Sequence, residues 1–266
     1  MSRFARAAVV FGISLALFVC FQTPFTVGAV ADRTEVDWKT MLPEADLVKV
    51  IGESVKFLQD ATRSQTNFNT KAPLAENEAY VLVIYAEAGL KSGSDELAGR
   101  SAALHKAASM LVEACKDKKL DEAKKQVAAI ANFKSMKPGD DMKGASLAKS
   151  VPIKNLMKTV NETDKLMKNY RRLSPAQFNV KGKTDEMALN SLRMAALTGA
   201  ITAHVPDKDD GKRTRKHWLE TTAEVREATI EMANAAKAKK QDQFKTALGK
   251  MDSACIRCHD VFRETE

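Results

Sequence analysis

The last helix-forming stretch of the chain contains Ala-Cys-Ile-Arg-Cys-His, whose residue types and spacing could hold a cofactor. Cys255 and Cys258 are three residues apart, so on a helix both sulfurs project from the same face, and His259 follows directly. Two thiols at this spacing can add to the two vinyl groups on one edge of a porphyrin, while the adjoining neutral imidazole binds the iron. The motif therefore predicts one covalent haem c, attached through Cys255 and Cys258, with His259 as the axial ligand.

Three other uses of such a cysteine pair compete with this prediction. A thiol–disulfide redox centre favours a βαβ setting and a helix N-terminus that lowers the thiol pKa, whereas this motif lies toward the end of a predicted helix. A zinc site needs a fourth ligand, and the remaining histidines are distant in sequence: His105, His204 and His217. A structural or chance cysteine pair is the third alternative.

Residues 1–31 have the pattern of a secretory signal peptide. The segment begins with two arginines, continues through 15 apolar residues and ends in Ala-Val-Ala, which predicts cleavage after Ala31. A membrane span needs about 20 apolar residues, so an uncleaved anchor is the runner-up, and a lipoprotein signal at Cys20 is weaker. We expect an exported, periplasmic protein, which agrees with haem attachment outside the cytoplasm.

Composition favours helices and limits the partners. Among 266 residues there are only 12 glycines and 7 prolines, aromatics make up 6%, and the formal charge is +8. This charge predicts either a solvated basic surface or attraction to an acidic protein or an anionic membrane. No basic block is interleaved with aromatics, so we expect no nucleic acid. The three cysteines of the mature chain make a poor disulfide framework.

Two phrases of the sequence recur. Residues 68–71 read Phe-Asn-Thr-Lys and residues 178–181 read Phe-Asn-Val-Lys, an offset of 110 residues, and an apolar segment follows each. Residues 113–132 likewise resemble residues 234–253. Repetition at this length predicts tandem domains rather than a solenoid, whose units are 20 to 50 residues long.

Apolar residues at three- and four-residue steps predict four helices in each copy. The predicted helices are residues 45–64, 77–90, 95–116 and 120–135 in the first copy and 153–172, 184–201, 215–238 and 242–262 in the second. Short connections between helices of this length favour antiparallel bundles. We therefore predict an all-α chain: a signal peptide, a four-helix bundle at 36–136, a linker at 137–149 and a second four-helix bundle at 150–266.

The second copy resembles a known family. A four-helix bundle whose last helix carries Cys-x-x-Cys-His-x-x-x-Arg is similar to cytochrome c prime (cytochrome C') and its low-spin relatives. Residues 216–263 resemble that family's third and fourth helices, including Trp218, whereas residues 36–136 resemble it only as a degraded repeat. The resemblance implies periplasmic electron transfer or binding of NO or CO, by a haem that is five-coordinate or has a methionine as sixth ligand. It also implies a tendency to form homodimers.

The resemblance assigns roles to further residues. Arg263 matches a basic residue beside the haem, although a cation near a helix C-terminus is also ordinary. Met157 lies near the position of the sixth ligand of low-spin relatives, and Leu47 corresponds to it in the first copy, but methionine is also common in bundle cores. Met167 is a weaker candidate for the same role. Trp218 is expected to serve in packing.

The first copy lacks the attachment motif. Residues 134–138, Lys-Ser-Met-Lys-Pro, stand where the second copy has Cys-Ile-Arg-Cys-His. We therefore expect the first bundle to be haemless, serving as a structural or partner-docking module or replacing the second subunit of a dimer. Cys115 is expected to be a buried small residue, and His105 a packed or surface histidine.

Together these features predict a one-electron carrier rather than an enzyme, with redox proteins of acidic surface as partners. The alternative is an NO- or CO-binding haem module. A peroxidase-like enzyme is a weaker third hypothesis, because no distal His, Arg or Gln cluster can be identified from the sequence.

Overall fold

The computed structural model describes residues 35–91, 94–139 and 146–263. Most of these residues are helical, and none of them forms a strand apart from an isolated bridge between Asp210 and Arg213. The all-α prediction is thus confirmed for the described chain. No helix among these residues is long and apolar enough to cross a membrane. The predicted signal peptide and part of the predicted linker lie outside the described residues.

Eleven α-helices follow one another in the described chain. The first five are α1 (Trp38–Met41), α2 (Glu44–Ala61), α3 (Gln65–Leu90), α4 (Asp95–Lys116) and α5 (Leu120–Ala131), and a 3₁₀ turn (Phe133–Ser135) comes next. The others are α6 (Leu147–Ser150), α7 (Ile153–Arg171), α8 (Pro175–Phe178), α9 (Lys183–Thr202), α10 (Arg215–Lys237) and α11 (Gln241–Phe262). Helices α2–α5 are called the N-terminal unit and α7–α11 the C-terminal unit, and each contains four long helices.

The third long helix of each unit ends in the same turn. Lys118 after α4 and Lys239 after α10 both have left-handed backbone angles, with φ of 55° and 57°. The following amide donates to a carbonyl five residues back in each case, from Lys119 to Ala114 and from Lys240 to Ala235, at 2.8 Å. This is a Schellman end, which satisfies the last carbonyls of a helix. The positions correspond in the aligned repeat, so both copies close this helix alike.

The two copies differ where their second helices begin. In the N-terminal unit, α3 starts at Gln65, because the Ser64 hydroxyl accepts a hydrogen bond from the amide of Asn67, and it continues through Pro73. The predicted start at residue 77 is therefore too late. In the C-terminal unit the corresponding segment forms the separate α8, and α9 begins after Gly182, whose φ is +81°.

The fourth long helices differ in length. Helix α5 stops at Ala131, earlier than the predicted end at residue 135, and only a 3₁₀ turn follows. Helix α11 continues for another ten residues beyond the corresponding position, through the Cys-x-x-Cys-His motif to Phe262. The haem motif thus lies on a helical extension that the N-terminal unit does not have.

The two units share a core. The larger cluster of buried apolar residues contains most of the N-terminal unit together with Leu156 of α7 and residues of α9 and α10, while a smaller cluster fills the other end of the C-terminal unit. Arg193 on α9 donates two hydrogen bonds, of 2.7 and 2.6 Å, to the carboxylate of Glu78 on α3. Trp38 of α1 packs closely against Gly199 on α9. The units are therefore packed side by side and joined by buried polar and apolar contacts.

Candidate haem site

Helix α11 presents an apolar stripe to the smaller core. Buried residues recur at three- and four-residue steps along one face: Phe244, Ala247, Leu248, Met251, Ala254 and Cys258. The ring of Phe244 meets those of Phe178 and Tyr170 edge to face, with centroids 5.7 and 6.3 Å apart. This packing fixes the rotation of α11, and the rotation in turn decides where the motif at its C-terminal end faces.

The two thiols of the motif point toward different neighbouring helices. Cys255 is half-buried, and Asp164 and Lys168 of α7 are among the charged groups that act on it. Cys258 is only 9% exposed, and the hydroxyl of Thr221 on α10 lies within hydrogen-bonding reach of its sulfur. Both cysteines are free, as is Cys115. The sulfurs therefore lie on the side of α11 that faces the bundle, as the i, i+3 spacing predicts.

Burial keeps both thiols protonated. It raises the pKa of Cys255 to about 12, and nearby carboxylates add to the effect. Burial also raises the pKa of Cys258, although the contact with Thr221 opposes the shift. A redox-active Cys-x-x-Cys pair requires a lowered pKa, because the thiolate is the nucleophile. The electrostatics of this site therefore do not resemble those of a thiol–disulfide oxidoreductase.

His259 and Arg263 are exposed on the last turns of α11. The backbone amide of Arg263 donates to the carbonyl of His259 at 3.1 Å, which closes the helix one turn after the imidazole. Within the part of the chain that the structure describes, the His259 ring has no hydrogen-bond partner. Its nitrogens are therefore available to a ligand.

An aromatic cluster holds the end of α11 against α10. Phe262 meets Trp218 edge to face at 4.9 Å between ring centroids and stacks on His217 at 5.8 Å. The indole nitrogen of Trp218 donates to the carbonyl of Ile201 at 3.1 Å, which ties α10 to α9. Arg213 donates to the carbonyl of Val261 at 3.1 Å. Trp218 thus has the packing position expected for it, and it borders the motif.

Met157 lies on the face of α7 that is turned toward α11. Asp164 and Lys168, which act on Cys255, follow Met157 at seven and eleven residues, spacings that return to the same side of a helix. The two helices run antiparallel, since Arg171 late on α7 forms an ion pair with Asp252, which precedes Cys255 on α11. Moving from Asp164 to Met157 covers about 10 Å toward the C-terminal end of α11, so Met157 lies about one to two turns beyond the level of His259.

The remaining sequence candidates lie elsewhere. Met167 is fully buried in the smaller core, and Leu47 is 1% exposed in the larger core. Cys115 is buried on α4, and burial raises its pKa to about 12. His105 is half-buried on the same helix, with Nδ1 3.5 Å from the hydroxyl of Ser109. None of these residues joins Cys255, Cys258 and His259.

The donor set fits a haem better than a metal ion. Helix α11 packs along much of α10 but touches α7 at few places, so the α7–α11 seam is the more open side of the bundle. Three groups lie along this seam: the half-buried thiol of Cys255, the imidazole of His259 and the thioether of Met157. Among the described residues no three His, Cys, Asp or Glu side chains converge as a bound metal ion requires. Thiols that bond to vinyl groups need no such convergence, and imidazole and thioether are both axial ligands of haem iron.

A comparison with protein-family models gives a match to cytochrome C' over residues 158–263. These residues are thus similar to the cytochrome C' family. The matched region contains α8–α11, most of α7 and the whole Cys-x-x-Cys-His motif, so this part of the chain is similar to a haem-binding c-type cytochrome. Met157 stands one residue before the match, and the N-terminal unit lies outside it. Searches of curated proteins and of solved structures found no significant match.

Sequence reasoning missed several neighbours of the motif. Thr221, Asp164 and Lys168 contact or act on the cysteines, yet each is an ordinary polar residue on an amphipathic helix. Only the crossing of three helices brings them to the site. The pairing of Phe262 with Trp218 depends on how α10 and α11 are aligned, which the periodicity of the sequence does not give.

Proposed function

We propose that this chain is an exported one-electron carrier with a single haem c, covalently attached at Cys255 and Cys258 and ligated by His259. Support comes from the family match, from the signal-like pattern of residues 1–31, and from the absence of cysteine or histidine in residues 134–138, where the first copy would need them. A bound haem would supply reversible one-electron chemistry at its iron. The protein would supply attachment, axial ligation and partial exclusion of water.

The observation that carries electron transfer, rather than gas binding, is the position of Met157. Its side chain lies on the face of α7 turned toward α11, about one to two turns beyond the level of His259. It is half-buried and packs against the larger core, so its position is constrained. We assign Met157 as the sixth ligand. A thioether that held the iron of a bound haem would exclude external ligands and would raise the reduction potential, as Met/His ligation does in cytochromes c.

Other residues have supporting roles in this proposal. Phe262 and Trp218 pack together where α10 meets the end of α11, and Arg263 is exposed one turn beyond His259, where its charge could act on a bound haem's edge. The formal charge of +8 favours redox partners with acidic surfaces.

Binding of NO or CO is the second candidate function. It is favoured by the position of Met157 just outside the family match and by its contact with the larger core, since both agree with a methionine that only packs. In that case the sixth position would be open to a small gas. A peroxidase activity is not part of our proposal, and peroxide turnover well above that of free haem would contradict it.

Spectra of the protein and of two matched variants distinguish the candidates. The protein is expressed with haem-attachment machinery, and ferric and ferrous spectra are recorded for wild type, Met157→Leu and Met167→Leu. Leucine keeps the volume of methionine but has no sulfur. Electron transfer predicts a low-spin wild type that becomes high-spin in Met157→Leu and stays low-spin in Met167→Leu. A high-spin wild type that takes up CO at once would favour gas binding.

A further inference from the structure

Helix α7 is the helix of the C-terminal unit that contacts both the N-terminal unit and α11. One of its sides packs on α3 of the N-terminal unit and on α9, and another is turned toward α11 and the motif. The first side carries Asn155, Thr159 and Thr163, which follow one another at four-residue steps; the two threonines are each 3% exposed. The second carries Met157, Asp164 and Lys168. Successive residues of a helix are about 100° apart, so Asn155 and Met157 point about 160° away from each other.

The N-terminal unit holds the first turn of α7 by a partly buried hydrogen bond. The Asn155 side-chain amide donates to Oδ1 of Asn77 on α3 at 2.9 Å and to Oε1 of Glu76 at 3.4 Å. Asn77 is 7% exposed and Asn155 is half-buried, so this contact is partly shielded from water. Because α7 follows Pro152, whose side chain cannot accept hydrogen bonds, the helix start is fixed by tertiary contacts rather than by a cap.

Apolar contacts fix the same turn. Val151 is fully buried and Leu156 is 2% exposed, and both belong to the larger core, which is mostly built from the N-terminal unit. Leu156 immediately precedes Met157. A shift of the N-terminal unit relative to α7 would therefore change the depth or rotation of the turn that carries the sulfur.

We propose that the N-terminal unit is a positioning element for the haem site, in which Asn77 acts through Asn155 to set the rotation of the first turn of α7 and hence the placement of Met157. This inference rests on the proposed function of Met157, which it deepens. Asn77 and Asn155 are positioning residues: neither touches the motif.

The geometry makes such control sensitive. A helix with its side chains has a radius of about 5–6 Å, so a rotation of about 20° moves a side-chain tip by about 2 Å. Binding constellations tolerate deviations of only about 0.5 Å and 10–20°. A modest loosening of the contact with α3 is therefore sufficient to withdraw the sulfur from an axial position.

The test compares four variants of the full, haem-loaded chain. Asn77→Leu removes the acceptor at similar size, Asn77→Asp keeps an acceptor oxygen, and Asn155→Ala breaks the same contact from the less buried side. Val127→Ala is the control, since it truncates a side chain of 3% exposure on α5, which packs on α2 and α4. Three quantities are measured: amide exchange in residues 153–160, the ferric high-spin fraction and the rate of CO association with the ferrous protein.

The inference predicts that Asn77→Leu and Asn155→Ala each raise exchange in residues 153–160 and CO association by about tenfold, whereas Asn77→Asp and Val127→Ala stay within about twofold of wild type. A tenfold change corresponds to about 1.4 kcal/mol, the size of one net hydrogen bond. With a low-spin wild type, the first two variants also raise the high-spin fraction.

Failure of this inference is distinguishable from failure of the proposed function. CO association that Asn77→Leu and Asn155→Ala leave unchanged, or that Val127→Ala raises equally, overturns the positioning role whatever the spin state of wild type. A high-spin wild type that Met157→Leu does not alter overturns ligation by Met157. The positioning role still stands in that case if the Asn77 and Asn155 variants change CO association as predicted. The Met157 side chain would then obstruct the sixth position without binding the iron.

Discussion

The buried ion pair between the two units allows a quantitative prediction. Glu78 on α3 and Arg193 on α9 form a bidentate pair, with side chains only 10% and 19% exposed. The Ser54 hydroxyl donates a further hydrogen bond to the same carboxylate. Replacing Arg193 by methionine retains much of its volume but removes the cationic partner of the buried Glu78 carboxylate, which keeps the Ser54 hydroxyl as a hydrogen-bond donor. Loss of one partner of a buried pair costs about 3–5 kcal/mol.

The pH dependence of this cost has a definite sign. Burial alone would raise the pKa of Glu78, but the charge and hydrogen bonds of Arg193, together with Ser54, outweigh it and hold the pKa below its ordinary value of 4.5. In wild type, Glu78 therefore contributes stability above pH 4.5 that is lost as the pH falls through the folded pKa. Without Arg193, burial raises the folded pKa above the unfolded one. The stability that Arg193→Met loses relative to wild type is then largest at neutral pH, and this loss shrinks as the pH falls through the raised pKa of Glu78.

Urea denaturation followed by circular dichroism measures both effects, for wild type, Arg193→Met, Glu78→Gln and the double variant. We expect the double variant to lose less stability than the two single variants lose together, because neither charge is then left buried without its partner. A loss below about 1 kcal/mol in Arg193→Met, as for an exposed pair, would refute the reasoning. So would a deficit that does not change with pH.

Two further predictions concern packing. Alanine at Gly199 would place its Cβ 3.1 Å from the Trp38 ring, so Gly199→Ala should destabilise the protein by about 1–3 kcal/mol. A Cβ at Gly249 meets nothing within 4 Å, so Gly249→Ala should stabilise α11 by up to about 1 kcal/mol. Thermal denaturation of both variants checks the contrast, and equal changes in stability would contradict it. Phe262→Ala removes the edge-to-face contact with Trp218, so it should lower the free energy of unfolding by about 1–3 kcal/mol. It should also raise amide exchange in the last two turns of α11. Unchanged exchange there would show that the aromatic cluster does not hold the helix end.

Much of the local structure could be predicted from the sequence. Helix α4 has the predicted bounds of 95–116, with Ser94 as its N-cap, because a cap, a periodic apolar pattern and a charged end all agree. The haem motif was recognisable because attachment needs two thiols and an imidazole at one fixed spacing. Helix α3 starts earlier than the predicted residue 77, because the cap at Ser64 starts a helix that carries Pro73 in its interior.

The relation between the two units could not be predicted in the same way. The Glu78–Arg193 pair joins residues 115 positions apart, and the hydrogen bond between Asn155 and Asn77 joins residues 78 apart. Nothing in the periodicity of either helix indicates these contacts, because each residue alone is an ordinary polar residue. The predicted domain boundaries at 36–136, 137–149 and 150–266 stay predictions, although the shared core shows that contacts extend across them. Formation of a homodimer likewise stays a prediction.

The most direct test of the account is the amount and the linkage of haem in the purified, full-length chain. A pyridine haemochrome assay before and after extraction with acidified organic solvent gives both, and Cys255→Ala combined with Cys258→Ala is the matched control. We predict one haem per chain that resists extraction in wild type and is extracted from, or missing in, the double variant. A colourless protein, two haems per chain, or a pigment that the solvent removes from wild type would contradict the assignment of Cys255, Cys258 and His259.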